Sequence, residues 1–491
     1  MNRQIVKLFA FIVVLFAVLI GFTSYWSIFD AQALKDKEAN KRPLLEQQQI
    51  KRGRILAADG TVIAKSVAKS VAKGHGTGLR YVRRYPEGAL YGHPIGYSFV
   101  RQGDSEFEQF HNDELVGEES EFGSILDELR GRRQEGNDIV TNIDAAAQRV
   151  ALADLEEQGF GAVVAIEPST GAVKVMASNK PYDPNRVPVE LEELNRNLIE
   201  TPLLNRATQG LYPPGSTFKV VTAAAGLESG AITPETTIDA PGTIIDEGHE
   251  LNNDFSEDFG PIALDTALTN SVNTWFGQLG QKVGNDKLFE TMEKFGFNST
   301  PPIDLPDDEV YNSGIYGEDG HTLNRNDPVD LARVAIGQER LLATPLQMTM
   351  VAAAVANGGK LMKPQIWNRV VDPDGRTVKR LDPSVYSEPI SAQTAEELTA
   401  AMEGVVSEGT GTNAAISGVP VAGKTGTAET PGNEACGGGE EENQAWFIGF
   451  APADEPQIAI VASVECSEQF GNDVAAPIFR DVAETILNGG S

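Results

Sequence analysis

The sequence predicts a mixed α/β protein: one large domain, with a sheet and a helical lobe, follows a small N-terminal domain and a single membrane-spanning helix. Three observations carry this. Residues 8–29 contain no charged side chain, strand-like segments open and close residues 138–491, and the chain between those segments is patterned mainly as helix. At roughly 100 to 200 residues per domain, 491 residues give two or three domains. Charged residues at 22% and hydrophobic residues at 41% exclude wholesale disorder, and two cysteines exclude a disulfide-built mini-domain. With 40 Lys plus Arg against 70 Asp plus Glu, the net charge is -30, which argues against nucleic acid or anionic lipid as the main partner.

The apolar run Leu8 to Phe29, at about 1.5 Å per helical residue, crosses a hydrocarbon core of roughly 30 Å. Arg3 and Lys7 precede it and Asp30 follows, so residues 1–7 are expected in the cytoplasm and the rest outside, with Tyr25 and Trp26 at the outer interface. A cleaved leader is the competing reading, since Ala31-Gln32-Ala33 has the form of a cleavage site. Either way the bulk is extracytoplasmic. Residues 30–50 are polar and helix-compatible, a stalk. Residues 51–137 form a domain of their own, with short strands Arg54–Leu56 and Thr61–Ile63 around the turn Asp59-Gly60.

From residue 138 the signals strengthen. An Ala-rich helix over Ile143–Glu157 precedes a hairpin, Gly161–Ile166 and Ala172–Ala177, turned by Pro168-Ser169-Thr170-Gly171. Two further strands, Trp446–Phe450 and Ile458–Ser463, lead to a last helix whose apolar face is Ile478, Phe479, Val482 and Ile486, with Pro477 expected at its start. Between them, Ser216–Ser229, Ile262–Gln278 and Thr344–Ala356 read as helices.

Three short motifs carry chemistry. In Ser216-Thr217-Phe218-Lys219 the helical i, i+3 spacing brings the lysine amine within reach of the serine hydroxyl, a weak nucleophile until a base takes its proton. A helix N-terminus also turns free N–H groups toward a developing oxyanion. Ser271-Val272-Asn273 and Lys424-Thr425-Gly426-Thr427 follow. Taken singly, each has an ordinary explanation: a capping serine, a helix cap, an edge-strand lysine. Together and in this order they form the S-x-x-K, S-x-N, K-T-G set of penicillin-binding proteins and related β-lactamases.

On these residues the chain resembles a class B, monofunctional penicillin-binding protein of the actinobacterial type. The likeness extends to Arg52-Gly53-Arg54-Ile55, Arg84-Tyr85-Pro86, Tyr182-Asp183-Pro184-Asn185, Asn205-Arg206-Ala207, Thr344-Pro345-Leu346-Gln347 and Asn357-Gly358-Gly359. It implies the penicillin-binding, serine β-lactamase-like transpeptidase fold: an antiparallel sheet flanked by helices plus an all-helical lobe, after a small α+β pedestal of the dimerisation type. It also implies a peptidoglycan D,D-transpeptidase of cell-wall growth or division, acylated by β-lactams and needing no cofactor or metal. Ser216 would attack the bond between the terminal D-alanines of a stem peptide, and Lys219, neutral, would take the proton. Lys424 would be the second cation that lowers the Lys219 pKa, Ser271 a relay and Asn273 the holder of the donor amide. Thr425 and Thr427, around Gly426, would bind the terminal carboxylate. With no glycosyltransferase module between anchor and catalytic domain, the resemblance implies a partner polymerase of the shape, elongation, division and sporulation class.

Three rivals stay open on sequence: a β-lactamase-like hydrolase, a D,D-carboxypeptidase and a non-enzymatic penicillin-recognising receptor. A β-lactamase needs a base for deacylation. The sole tempting stretch, Leu191–Asn195, carries Leu191 at the key position and precedes the nucleophile. No histidine lies beside a G-x-S-x-G frame, and no Cys or His pair has metal-ligand spacing. Finally, strands running antiparallel in sequence order would bring Cys436, in the acidic loop 431–443, beside Cys466 at the end of the last strand. An oxidising exterior permits a disulfide there, and two free thiols are the alternative.

Overall fold

Residues 2–28, 49–70, 79–117, 135–246, 248–431 and 441–489 are described by the structure, a computed structural model. The apolar N-terminus forms α1 (Asn2–Ile28), in which residues 3–22 are exposed. Its segment Arg3–Phe22, with a mean hydropathy of 2.9, is long and apolar enough to cross a membrane. Most of the expected stalk lies outside the described residues.

The elements that position the site follow in chain order. The N-terminal domain supplies β1 (Ile55–Leu56), β2 (Val62–Ser70) and β3 (Leu79–Arg84). Then come β4 (Asp138–Thr141), α2 (Ala145–Gln158), β5 (Gly161–Glu167) and β6 (Ala172–Ser178). The helical lobe contains α3 (Lys219–Glu228), α4 (Leu264–Thr269), α5 (Asn273–Val283) and α6 (Pro345–Ala356). After β7 (Trp367–Val371) and β8 (Thr377–Arg380) come α7 (Ala392–Ser407), β9 (Ala422–Pro431), β10 (Glu441–Ala451), β11 (Ile458–Ser467) and α8 (Gly471–Gly489).

Two sheets organise these elements. The central one is antiparallel throughout, in the order β9-β10-β11-β5-β6. Its strands alternate between two cores: along β5, Ala162, Val164 and Ile166 face one, Val163 and Ala165 the other. Helices α2 and α8 cover the second core. Helix α6, apolar on all sides, is buried against the first.

The other sheet, β8-β7-β4-β1-β2-β3, runs across the boundary expected between residues 137 and 138. Strand β4 pairs parallel with β1 and antiparallel with β7, so chain from beyond residue 138 completes the N-terminal sheet. The family-like motifs stitch this junction. Buried Glu108 accepts from Arg52 Nε (2.7 Å), Arg83 Nε (2.6 Å) and Tyr85 OH (3.1 Å). The Asn185 side chain in turn holds both Tyr85 N and Tyr85 O. A Cβ at Gly53 would lie 1.8 Å from Asn137 O, so the arginine motif needs glycine at that crossing.

Local expectations change in three places. Pro477 lies inside α8, which begins at Gly471, because buried Val474 extends the apolar stripe upstream and its burial outweighs the hydrogen bond that proline forgoes. The helix expected over 262–278 is two helices broken at Ser271. The helix expected from Ser216 opens as a 3-10 turn, Gly215–Phe218, before α3 begins at Lys219.

Candidate active site

The nucleophile motif lies on a turn clamped from both sides. Gly215 takes a left-handed φ of 52° and donates its N–H to Gly337 O at 2.9 Å, and Thr217 Oγ1 donates to Pro214 O at 2.7 Å. Gly215, Thr217 and Phe218 are buried, leaving Ser216 as the half-exposed residue of the turn. The apolar helix that follows is buried from Lys219 to Gly226, which fixes the lysine at its first position.

Lys219 Nζ does not bond Ser216 among the described residues. It lies 2.6 Å from Ser271 O, 2.6 Å from Asn273 Oδ1 and 3.2 Å from Ser271 Oγ. Ser271 itself occupies the break between α4 and α5 at φ 57°, a conformation that β-carbon sterics disfavour. Asn273 opens α5, and its Nδ2 donates to Asn252 O at 2.8 Å, on the hairpin formed by Thr243–Asp246 and His249–Asn252. One residue on, Asn253 Oδ1 accepts from Thr274 N at 2.9 Å.

Strand β9 forms the opposite wall. Lys424 Nζ donates to Ser271 Oγ at 2.9 Å and to Thr425 O at 3.1 Å, so one serine hydroxyl joins two buried lysines. Thr425 Oγ1 meets Thr410 Oγ1 at 2.7 Å, and Thr427 Oγ1 accepts from Gly471 N at 3.3 Å. A Cβ at Gly426 would stand 2.8 Å from Thr217 Cγ2 and 2.9 Å from Pro214 O, because the nucleophile turn lies directly on this strand. Trp446, opposite Gly426 in the β9/β10 register, pins the turn from below, its Nε1 donating to Pro213 O at 3.0 Å.

Burial pushes the Lys219 ammonium well below its ordinary range, and the neighbouring Lys424 cation pushes it further. Burial also lowers Lys424, to about 7, with the Asp254 carboxylate opposing. The site therefore holds a lysine biased toward the neutral amine beside one poised near neutrality.

The structure thus joins Lys219, Ser271, Asn273 and Lys424 by direct hydrogen bonds, and sets Ser216 on a turn that rests against Gly426. Thr425 and Thr427 flank that glycine on the strand. Cys436, half of the expected disulfide, lies outside the described residues, and Cys466 is the penultimate residue of β11, at φ 58°. Asn252, Asn253, Asp254, Gly337, Thr410 and Trp446 were not expected here. The Asn-Asn-Asp run is a turn signal, but nothing local says which site that turn serves.

Residues 161–484 match the penicillin binding protein transpeptidase domain family, and residues 52–139 the penicillin binding protein A dimerisation domain family. The chain belongs to the penicillin-binding protein transpeptidase family. It is 33% identical to the peptidoglycan D,D-transpeptidase PbpA of Mycolicibacterium smegmatis and 32% identical to that of Mycobacterium tuberculosis, in each case over 100% of both chains. In three dimensions it resembles the imipenem acyl-enzyme complex of penicillin-binding protein A from M. tuberculosis, with a TM-score of 0.78 at 32% identity over 90% of this chain and 100% of that one. The D,D-transpeptidase domain of a peptidoglycan glycosyltransferase from Eggerthella lenta matches with a TM-score of 0.76 at 32% identity, over 90% of this chain and 99% of that one.

Proposed function

We propose that this member of the penicillin-binding protein family is a serine D,D-transpeptidase that cross-links peptidoglycan stem peptides and is acylated by β-lactams. The observation that carries the reading is the hydrogen-bonded chain Lys424–Ser271–Lys219 beside half-exposed Ser216. As a neutral amine Lys219 has two N–H donors, and Ser271 O and Asn273 Oδ1, each at 2.6 Å, take both. Its lone pair is left for the Ser271 hydroxyl, whose oxygen accepts from Lys424.

Ser216 Oγ adds to the carbonyl carbon of the penultimate D-alanine. Its proton goes to Lys219, either after that side chain turns toward the nucleophile or through Ser271. The carbon–nitrogen bond then breaks, and the departing D-alanine amine takes a proton through Ser271. An amine from a second stem peptide displaces the serine ester and returns its proton by the same route, so one amide is exchanged for another with no external energy source. Backbone N–H groups of Ser216 and Thr427 hold the oxyanion, Thr425 and Thr427 the terminal carboxylate, and Asn273 the donor amide.

Helix α1 anchors the chain as a single pass, with residues 1–7 cytoplasmic, the stalk 30–50 and pedestal 51–137 outside, and the transpeptidase domain 138–491 beyond them. Glycan polymerisation comes from a separate membrane polymerase of the shape, elongation, division and sporulation class. Cys436 and Cys466 form a disulfide, which intact mass with and without reduction before alkylation detects.

Intact-mass spectrometry after benzylpenicillin addition tests the function. A single adduct lasting hours, absent in Ser216→Ala, is expected, together with D-alanine release and cross-linked dimers from stem pentapeptides. An adduct lost within seconds, or one that survives Ser216→Ala, overturns the reading.

A further inference from the structure

The β2–β3 ribbon reverses the electrostatic character of the rest of the molecule. In a chain of net charge -30, the segment from Gly60 to Pro86 contains no Asp or Glu. Its antiparallel register sets Lys65 opposite Arg84 and Lys69 opposite Arg80, with Val67 opposite Val82 between them. Side chains alternate along a strand, so these six residues share one face of the ribbon. Lys65, Lys69 and Arg84 are exposed, Arg80 is half-buried, and Val67 is 43% exposed at the centre.

Like charges directly opposite one another weaken a strand pair, and among the described residues none of these four cations has an ion pair or hydrogen bond to offset that. Arg83, on the other face, is by contrast buried and bound to Glu108. The fold therefore carries four uncompensated cations around an apolar centre on a solvent-facing surface.

We propose that this face docks onto the anionic headgroups of the bilayer that holds α1. The inference rests on the membrane-anchor reading above. Two features favour a bilayer as the occupant. The 29–48 segment, even fully extended at roughly 3.5 Å per residue, keeps residue 49, which leads into the ribbon's domain, within about 70 Å of the anchor. The remaining surface is acidic and is repelled by the same headgroups, so attraction at one face and repulsion elsewhere orient the catalytic domain rather than merely bind it. Val67 and Val82 offer apolar contact at the headgroup boundary, and the cations each contribute a factor of roughly five.

The test uses the full chain in lipid nanodiscs of phosphatidylcholine alone, or of equal parts phosphatidylcholine and phosphatidylglycerol. Lysines are pulse-acetylated and quantified by mass spectrometry. Lys65 and Lys69 are expected to react several-fold more slowly in the anionic discs, with the difference lost at high salt, while exposed Lys287 reacts equally in both. Arg80→Ser/Arg84→Ser, which leaves both reporter lysines in place, should lose most of that protection while still being acylated by penicillin. Co-elution with discs of both kinds but equal lysine rates overturns the inference alone. Failure to co-elute overturns the anchor and the inference with it. Protection produced by soluble poly(glycerol phosphate) but not by anionic discs makes the partner a polymer and also overturns it.

Discussion

Ser271 combines two demands that ordinarily conflict. Its backbone is held left-handed, at about 1 kcal/mol or more for a residue with a β-carbon, while its hydroxyl links Lys219 and Lys424. Ser271→Gly and Ser271→Ala separate the two. Both should slow penicillin acylation by about a hundredfold, but Ser271→Gly relieves the φ and should be the more stable of the pair in thermal melts. Equal melting temperatures would show that the strain is negligible. The two lysines also predict a pH profile. Lys219, lowered by burial and then by Lys424, reaches its neutral form well below the ordinary lysine range. Lys424, lowered by burial to about 7, loses its proton as pH rises through that value. Acylation that needs Lys424 charged should therefore decline on an alkaline limb near 7. Asp254, which helps Lys424 keep its proton, sets the position of that limb. Asp254→Asn should move it to lower pH, as stopped-flow acylation rates would record.

At the scale of elements, the site depends on how closely the nucleophile turn lies on β9. Gly426→Ala puts a methyl group within 2.8 Å of Thr217 Cγ2 and 2.9 Å of the Pro214 carbonyl. Because a carbonyl in a clamped turn cannot swing away as a flexible side chain can, the turn must move and carry Ser216 with it. The expected result is a loss of about 1 to 3 kcal/mol of stability and a much larger proportional loss of acylation rate, read by melting and intact mass. That contact also marks what the sequence made legible. The i, i+3 spacing of Ser216 and Lys219 and the approach to K-T-G were readable as local pattern, and so was the hairpin β5–β6, whose apolar runs flank a Pro-Ser-Thr-Gly turn. The break at Ser271 was not, because the apolar pattern continues through Ile262–Gln278 and neither glycine nor asparagine fills the left-handed position of the helix end, where Ser271 N bonds Leu268 O (3.2 Å) and Val272 N bonds Ala267 O (2.9 Å). Thr410 and Gly337 carry no local signal, since their relevance comes from contacts with Thr425 and Gly215 distant in sequence. The membership of β4, β7 and β8 in the N-terminal sheet is likewise decided by pairing between remote segments.

Across the whole molecule, the two sheets meet at a junction held by protons. The short helices Glu106–Phe110 and Asn112–Val116 pack against the segment around Asp304 and Glu309 of the catalytic domain. Glu106 N donates to Glu309 Oε2 at 2.6 Å, while Glu106 Oε2 is buried without a partner, as suits a carboxyl that keeps its proton. Burial, and then the Glu309 charge, raise Glu106 well above the carboxylate range, and burial raises Glu309 to about 7. Asp308 adds to the same repulsion, and Asn205 Nδ2, 3.4 Å from Glu106 Oε1, partly relieves it. A second contact has the same polarity. Burial disfavours the His111 cation, but the Asp304 carboxylate bonded to Nε2 at 3.2 Å and the Glu114 carboxylate 3.6 Å from Nδ1 outweigh it and leave the imidazole raised above 6.5. Carboxyls raised in the folded state bind more protons there than in the unfolded chain, so their contribution falls as pH rises from about 4.5 through 7 and beyond. The histidine's contribution is complete below 6.5 and disappears as pH climbs through its raised value. Both therefore loosen the junction in the alkaline direction. Hydrogen exchange, corrected for its intrinsic pH dependence, should accelerate in segments 106–116 and 303–310 between pH 6 and 9 while the central strand β5 stays protected. Glu106→Gln, which keeps the buried group neutral at every pH, should remove most of that acceleration. If the wild type and the variant exchange alike across the range, the buried carboxyl pair does not govern the junction.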